Sequence, residues 1–136
     1  MYEFALGLTA VALGSALGGA CRYFVSGLVA RTIGETFPWG TFAVNVSGSF
    51  AIGVLAAGAD ARWLVATPLV WQIAVTGFIG SYTTVSSFSL QTLTLAQDRQ
   101  FLRAGANIVL SVAVCITATA VGFLIAMQFP GHAGPS

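Results

Sequence analysis

Gly77-Phe78-Ile79-Gly80-Ser81-Tyr82-Thr83-Thr84-Val85-Ser86-Ser87-Phe88-Ser89 sits inside residues 63–97, a run without a single Asp, Glu, Lys or Arg. A stretch so long and uncharged suits a bilayer, yet this part of it is a poor continuous helix. Two glycines, a β-branched run and repeated hydroxyls all lower helix propensity. A break at membrane depth is tolerated only where it is buried in protein or lines a polar cavity. Two readings stand: a Gly-rich kink that serves packing, or a functional break. In the second, unwound carbonyls face a cation and the following half-helix points its positive end at an anion.

Working outward, residues 4–21, 36–59 and 104–136 are also free of charged side chains. A spanning helix needs about 20 mainly apolar residues, which gives four spans at about 4–30, 38–59, 66–95 and 102–127. Short turns fall at 31–37, 60–65 and 96–101, and residues 128–136 form a loose Gly- and Pro-containing tail. The expectation is one all-α membrane domain over 1–136, with the third helix broken near its middle.

Composition agrees. Of the 136 residues, 57% are hydrophobic and 7% charged, against roughly 25% charged in a soluble chain. The net charge of +1 comes from five arginines and four acids, which excludes the basic stripe of a nucleic-acid binder. Met1-Tyr2-Glu3 lacks the positive start of a secretory signal. Arg31, Arg99 and Arg103 flank the first and third turns and Arg62 the second. So slight a bias fits insertion in both orientations as well as an ordinary marginal topology.

Gly14 and Gly18, and Ser49 and Gly53, have small-xxx-small spacing. In lipid, helices associate through close packing at such residues. The pairs serve either the bundle itself or a subunit interface, and so thin a bundle favours an oligomer. Thr41, Asn45 and Ser49 share one face of the second span, as do Asn107, Ser111 and Cys115 on the fourth. Two aligned polar rows point to a polar pathway. Arg22, inside the first span, either snorkels to the interface or adds positive potential for an anion.

Enzyme chemistry has no foothold. The sole His is His132, in the tail, and Glu3, Glu35, Asp60 and Asp98 all sit at helix ends. No Ser–His pair or intramembrane carboxylate dyad can form. Cys21 and Cys115 lack metal-site spacing and read as core residues. The missing intramembrane acid also argues against proton-coupled transport.

Three pieces occur in order: Gly18-Gly19-Ala20-Cys21-Arg22-Tyr23; Gly40-Thr41-Phe42-Ala43-Val44-Asn45 with Gly48 and Gly53; and the Gly77 to Ser89 stretch. Together, over nearly the whole chain, they resemble the small dual-topology fluoride channels, the Fluc or CrcB family. The resemblance implies an antiparallel dimer in the cell (inner) membrane, passing fluoride passively through two pores to lower its cytoplasmic concentration. It also implies a structural sodium ion at the dimer interface, held by the backbone carbonyls of Gly80 and Thr83. Asn45 matches the pore asparagine and Phe88 the second of two phenylalanines facing the ion. Thr41, Thr84, Asn107, Ser111 and Cys115 complete the fluoride pathway, with Arg22 as a vestibule charge.

Three positions depart from the family pattern. Val85 stands where the first phenylalanine belongs, Asn107 where Tyr or His is commoner, and Gln91 in place of Glu. The dimer is then a homodimer, or a heterodimer whose partner supplies the missing ring. Outside this resemblance stand two other readings: a small proton-coupled multidrug exporter, and a structural membrane subunit without transport.

Overall fold

A computed structural model describes residues 1–34, 36–60 and 67–129. Residues 61–65 of the expected second turn and 130–136 of the tail lie outside them. The described elements are all helical: α1 (Tyr2–Ile33), α2 (Trp39–Asp60), α3 (Pro68–Trp71), a π-helical segment (Gln72–Ile79), α4 (Gly80–Tyr82), α5 (Val85–Gln97) and α6 (Phe101–Ala126). Among the described residues three helices are long and apolar enough to cross a membrane: α1, α2 over Trp39–Ala59, and α6.

The stretch 68–97 is irregular from its first turns. Its backbone is already widened at Gln72–Ile79, before the glycines of the quoted sequence are complete. Helical geometry then stops at Tyr82. Thr83 and Thr84 are extended, with φ −78°, ψ 158° and φ −152°, ψ 119°, and α5 begins at Val85.

Packing is arranged by backbones that touch. α1 lies along the 68–82 segment, and α2 along α6. A methyl group on Gly14 would strike the Ile73 carbonyl, one on Gly18 the Phe78 carbonyl, and one on Gly77 the Val11 carbonyl at 2.7 Å. On the other seam Gly53 meets the Thr119 carbonyl and Gly122 that of Phe50. Both small-residue pairs therefore serve the bundle itself. Because lipid tails are as apolar as leucine, this close approach supplies the dispersion energy that water-driven burial supplies elsewhere. Hydroxyls add to this: Thr119 Oγ1 donates to Ser49 O at 3.0 Å on the α2–α6 seam, and Ser47 Oγ, 2.9 Å from Tyr82 Oη, ties α2 to α4.

Leucine, phenylalanine and valine side chains cover the outside, including Leu13, Leu17, Phe24, Val109 and Leu124. Inside are Val44, Ala57 and Ala126 with Thr41, Thr84, Asn107 and Ser111. Cys21, expected in the core, is exposed. Its place on α1 turns it away from both seams.

The α5–α6 turn closes with two bonds, Arg99 N to Ala96 O at 3.1 Å and Gln100 N to Leu95 O at 2.8 Å. Arg99 takes a left-handed φ of 60° to make them, a conformation that costs a residue with Cβ roughly 1 kcal/mol more than glycine. Arg99→Gly is therefore expected to stabilise the purified chain by about 1 kcal/mol, read as a rise in its thermal unfolding midpoint in detergent.

Candidate functional site

The extended pair Thr83–Thr84 is where the chain's polar chemistry gathers. Asn45, from α2, faces it with both ends of its amide: Nδ2 donates to Thr84 O at 3.0 Å, and Thr84 N donates to Oδ1 at 2.8 Å. This is the pattern of two peptide groups paired in a sheet, made here by a side chain. One Nδ2 hydrogen is left over, since an amide carries two.

In an unbroken helix Thr84 N–H would bond the Gly80 carbonyl and Ser87 N–H the Thr83 carbonyl. Thr84 N–H goes instead to Asn45, and Ser87 N–H to Thr84 Oγ1 at 3.2 Å. The carbonyls of Gly80 and Thr83 are thus both released from their helical donors. Thr84 is also the N-cap of α5, and its hydroxyl lies 3.1 Å from Ser86 Oγ and 3.2 Å from Ser87 Oγ. Thr84→Ala is expected to cost about 1 kcal/mol through loss of the cap, measured as earlier unfolding of the solubilised chain.

Beside the break runs an open-sided groove of about 460 Å³, lined by α2, the broken stretch and α6. Its walls include Asn45, Thr83, Thr84, Phe88, Ser111 and Cys115. Six residues expected at the site from sequence are therefore together. Val85 also lines the groove and is 77% exposed, so the position of the absent ring opens outward.

One helical turn from Asn45, Thr41 lines a second, larger cavity of about 720 Å³ between the α1–α2 turn and the α5–α6 end. Ser87, Gln91, Thr94, Asp98 and Arg103 also face it. Arg103 donates to Gln100 Oε1 at 2.6 Å. Gln91 Oε1 is buried without a partner in the chain, an acceptor suited to water in a wet cavity.

Asn107, Arg22 and Gly80 stand apart from the groove lining. Asn107 is 2% exposed and lines neither space. It accepts from Ser111 Oγ at 3.4 Å and donates to Thr92 Oγ1 at 2.8 Å; that hydroxyl donates to Phe88 O at 2.7 Å. It thereby anchors two groove residues from behind. Arg22 is half-buried on α1 and lines neither cavity. Gly80 is exposed, on the outer side of the break.

Sequence reasoning missed Arg103, Thr92 and Ser87 as site residues. The first had a signal: Arg103 precedes Asn107 by four, so the row Asn107, Ser111, Cys115 continues one turn into the larger cavity. Thr92 likewise follows Phe88 by four.

Residues 9–123 match the family model described as CrcB-like protein, Camphor Resistance (CrcB). The chain belongs to the CrcB family. Curated relatives agree over almost the full length. The chain is 57% identical over 127 residues to "Fluoride-specific ion channel FluC 2" of Rhodopseudomonas palustris (strain BisB18), covering 93% of this chain and 97% of that one. Identity is 54% over 121 residues to the protein of the same name from Bradyrhizobium diazoefficiens, covering 88% of each. It is 52% over 115 residues to "Fluoride-specific ion channel FluC" of Rhodospirillum rubrum, covering 82% of this chain and 88% of that one. CrcB membership and three apolar helices among the described residues make this a multi-pass membrane protein.

Proposed function

We infer that this CrcB chain is a passive fluoride channel of the cell membrane, lowering cytoplasmic fluoride. Its relatives' shared name supports this, and so does the polar break beside a groove. Fluoride is small and strongly hydrated, so a path must replace its water with donors. The Thr41 hydroxyl and the first N–H groups of α5 supply them. The helix end there also carries partial positive charge. Phe88 adds a ring whose edge is the positive part of its quadrupole. The larger cavity, with Thr41, Ser87 and Arg103, is the wet entrance; the groove is the narrow passage.

Residues 68–97 then form the remaining crossing, third in chain order, broken at Thr83–Thr84 with half-helices on either side. The groove lacks an outer wall in a single chain. A second copy, inserted antiparallel, would close it and cover Val85. The two released carbonyls suit a sodium ion, since neutral backbone oxygens from unwound segments are its usual ligands in membrane proteins. Gly80 and Thr83 would hold it, and a second chain would double the set. When bound, such an ion supplies fixed positive charge in a low-dielectric interface.

The test is efflux from liposomes containing only the purified chain, loaded with fluoride or with chloride. Fluoride is expected to leave while chloride stays, and a fluoride electrode reads it directly. Retention of both ions would overturn the reading. Sodium is tested by replacing it with an organic cation throughout preparation, which is expected to weaken dimer formation and slow efflux. Unchanged efflux and assembly would remove the metal from the proposal.

A further inference from the structure

The residues Thr83, Thr84 and Val85 do not break a helix on their own account. β-branched residues lower helix propensity only mildly, and no proline stands between Pro68 and Pro130. Polar backbone groups without partners are costly in a membrane, so an interruption persists only if something else satisfies them. Three of the groups set loose at Thr83–Thr84 find side-chain partners: Thr84 N–H, Thr84 C=O and Ser87 N–H. Asn45 takes the first two, at 2.8 and 3.0 Å, and Thr84's own hydroxyl takes the third, at 3.2 Å.

We propose that Asn45 is a positioning residue that holds the 68–97 helix open, its amide replacing the peptide partners that Thr84 would otherwise find within the helix. Without that amide the nearest remedy for Thr84 N–H is the Gly80 carbonyl, four residues back. Reaching it turns Thr83 and Thr84 helical. The carbonyls of Gly80 and Thr83 then point along the helix again, and the α5 N-terminus disappears from the groove. The clamp is firmly mounted. Val44 beside it is wholly buried, and Gly48, one turn on, is pressed against the Thr83 methyl. Hydrogen bonds of ordinary net strength bias such an equilibrium by about tenfold each, so two shift it by about 100-fold.

A second substitution separates holding the break from touching the ion. Val85 is the first residue of α5, where proline is favoured. A proline there confines its predecessor to extended backbone, which Thr84 already occupies. Val85→Pro should therefore keep the helix open without Asn45.

The experiment uses the full chain with Asn45→Leu, Asn45→Ala, Val85→Pro and the Asn45→Leu/Val85→Pro pair. The Cα chemical shifts of Thr83 and Thr84 in bicelles report backbone conformation, and fluoride efflux from liposomes reports function. Expected are extended shifts in the wild type, helical shifts in both Asn45 variants, and extended shifts again in the pair. Efflux in the pair should recover at least about tenfold over Asn45→Leu, one hydrogen bond's worth of bias. The alanine variant serves if leucine's bulk prevents assembly. Extended shifts in both Asn45 single variants would overturn the proposal. So would a pair that regains the extended shifts but no efflux, because Asn45 would then act on the ion itself. The proposal rests on the channel reading only for its efflux arm: a wild type that moves no fluoride defeats that reading, and the shifts still decide this one.

Discussion

Asn45→Asp is expected to abolish fluoride efflux, to below about one thousandth of the wild-type rate. The carboxylate keeps an acceptor for Thr84 N–H but loses the Nδ2 donor that holds Thr84 O at 3.0 Å. Its second oxygen then faces a carbonyl oxygen, and the clamp is half undone. Its charge matters more. A fixed negative charge about 4 Å from a passing anion costs about 4 kcal/mol even at an effective dielectric of 20, which is roughly a thousandfold in rate. A fluoride electrode on proteoliposomes measures it, with protein recovery as the control for folding. Wild-type efflux in this variant would mean that the anion does not pass Asn45 at all.

The second large effect separates two neighbouring glycines. Gly18→Ala places its methyl group on the Phe78 carbonyl, a backbone atom that cannot turn aside. α1 must then move away from the 68–82 segment and lose the close approach that holds the seam. Overpacking a rigid contact costs about 1–3 kcal/mol, and more when backbone must shift. Gly19→Ala meets nothing within 4 Å, and alanine improves a helix interior by up to about 1 kcal/mol. Opposite signs are therefore expected from adjacent positions of one motif. Gel filtration and thermal unfolding in detergent report both. Equal behaviour of the two variants would show that the α1 seam does not hold the bundle.

The membrane class and the polar rows were legible because each is written at a fixed spacing. Uncharged runs mark apolar helices, and residues four apart share a face wherever a helix forms. That is why Thr41, Asn45 and Ser49 could be grouped on one helix, and Asn107, Ser111 and Cys115 on another, before any fold was known. The same rule, followed one turn further, reaches Arg103. Asn107 obeys the spacing and still lies behind the groove, because its row faces the groove at one level and Thr92 of α5 at another. Spacing gives a face, and only the neighbouring helix decides what that face meets. The glycines carried a similar ambiguity: Gly14 and Gly18 could have served a partner until the 68–82 segment was found against them.

The sequence by itself determined that the chain belongs in a bilayer, that helices would carry it, and that hydroxyls and amides would be aligned on single helix faces. These follow from transfer energies and from the helical repeat, which are local. Only the tertiary structure decided which polar atoms are spent and which are free. Asn45 spends its carbonyl and one N–H on Thr84, and Thr84 spends its N–H on Asn45; that exchange releases the carbonyls of Gly80 and Thr83. A side chain from another helix makes the difference, thirty-nine residues away. Hydrogen bonding within a membrane is a closed account among the groups that actually meet, and which groups meet is a property of the fold.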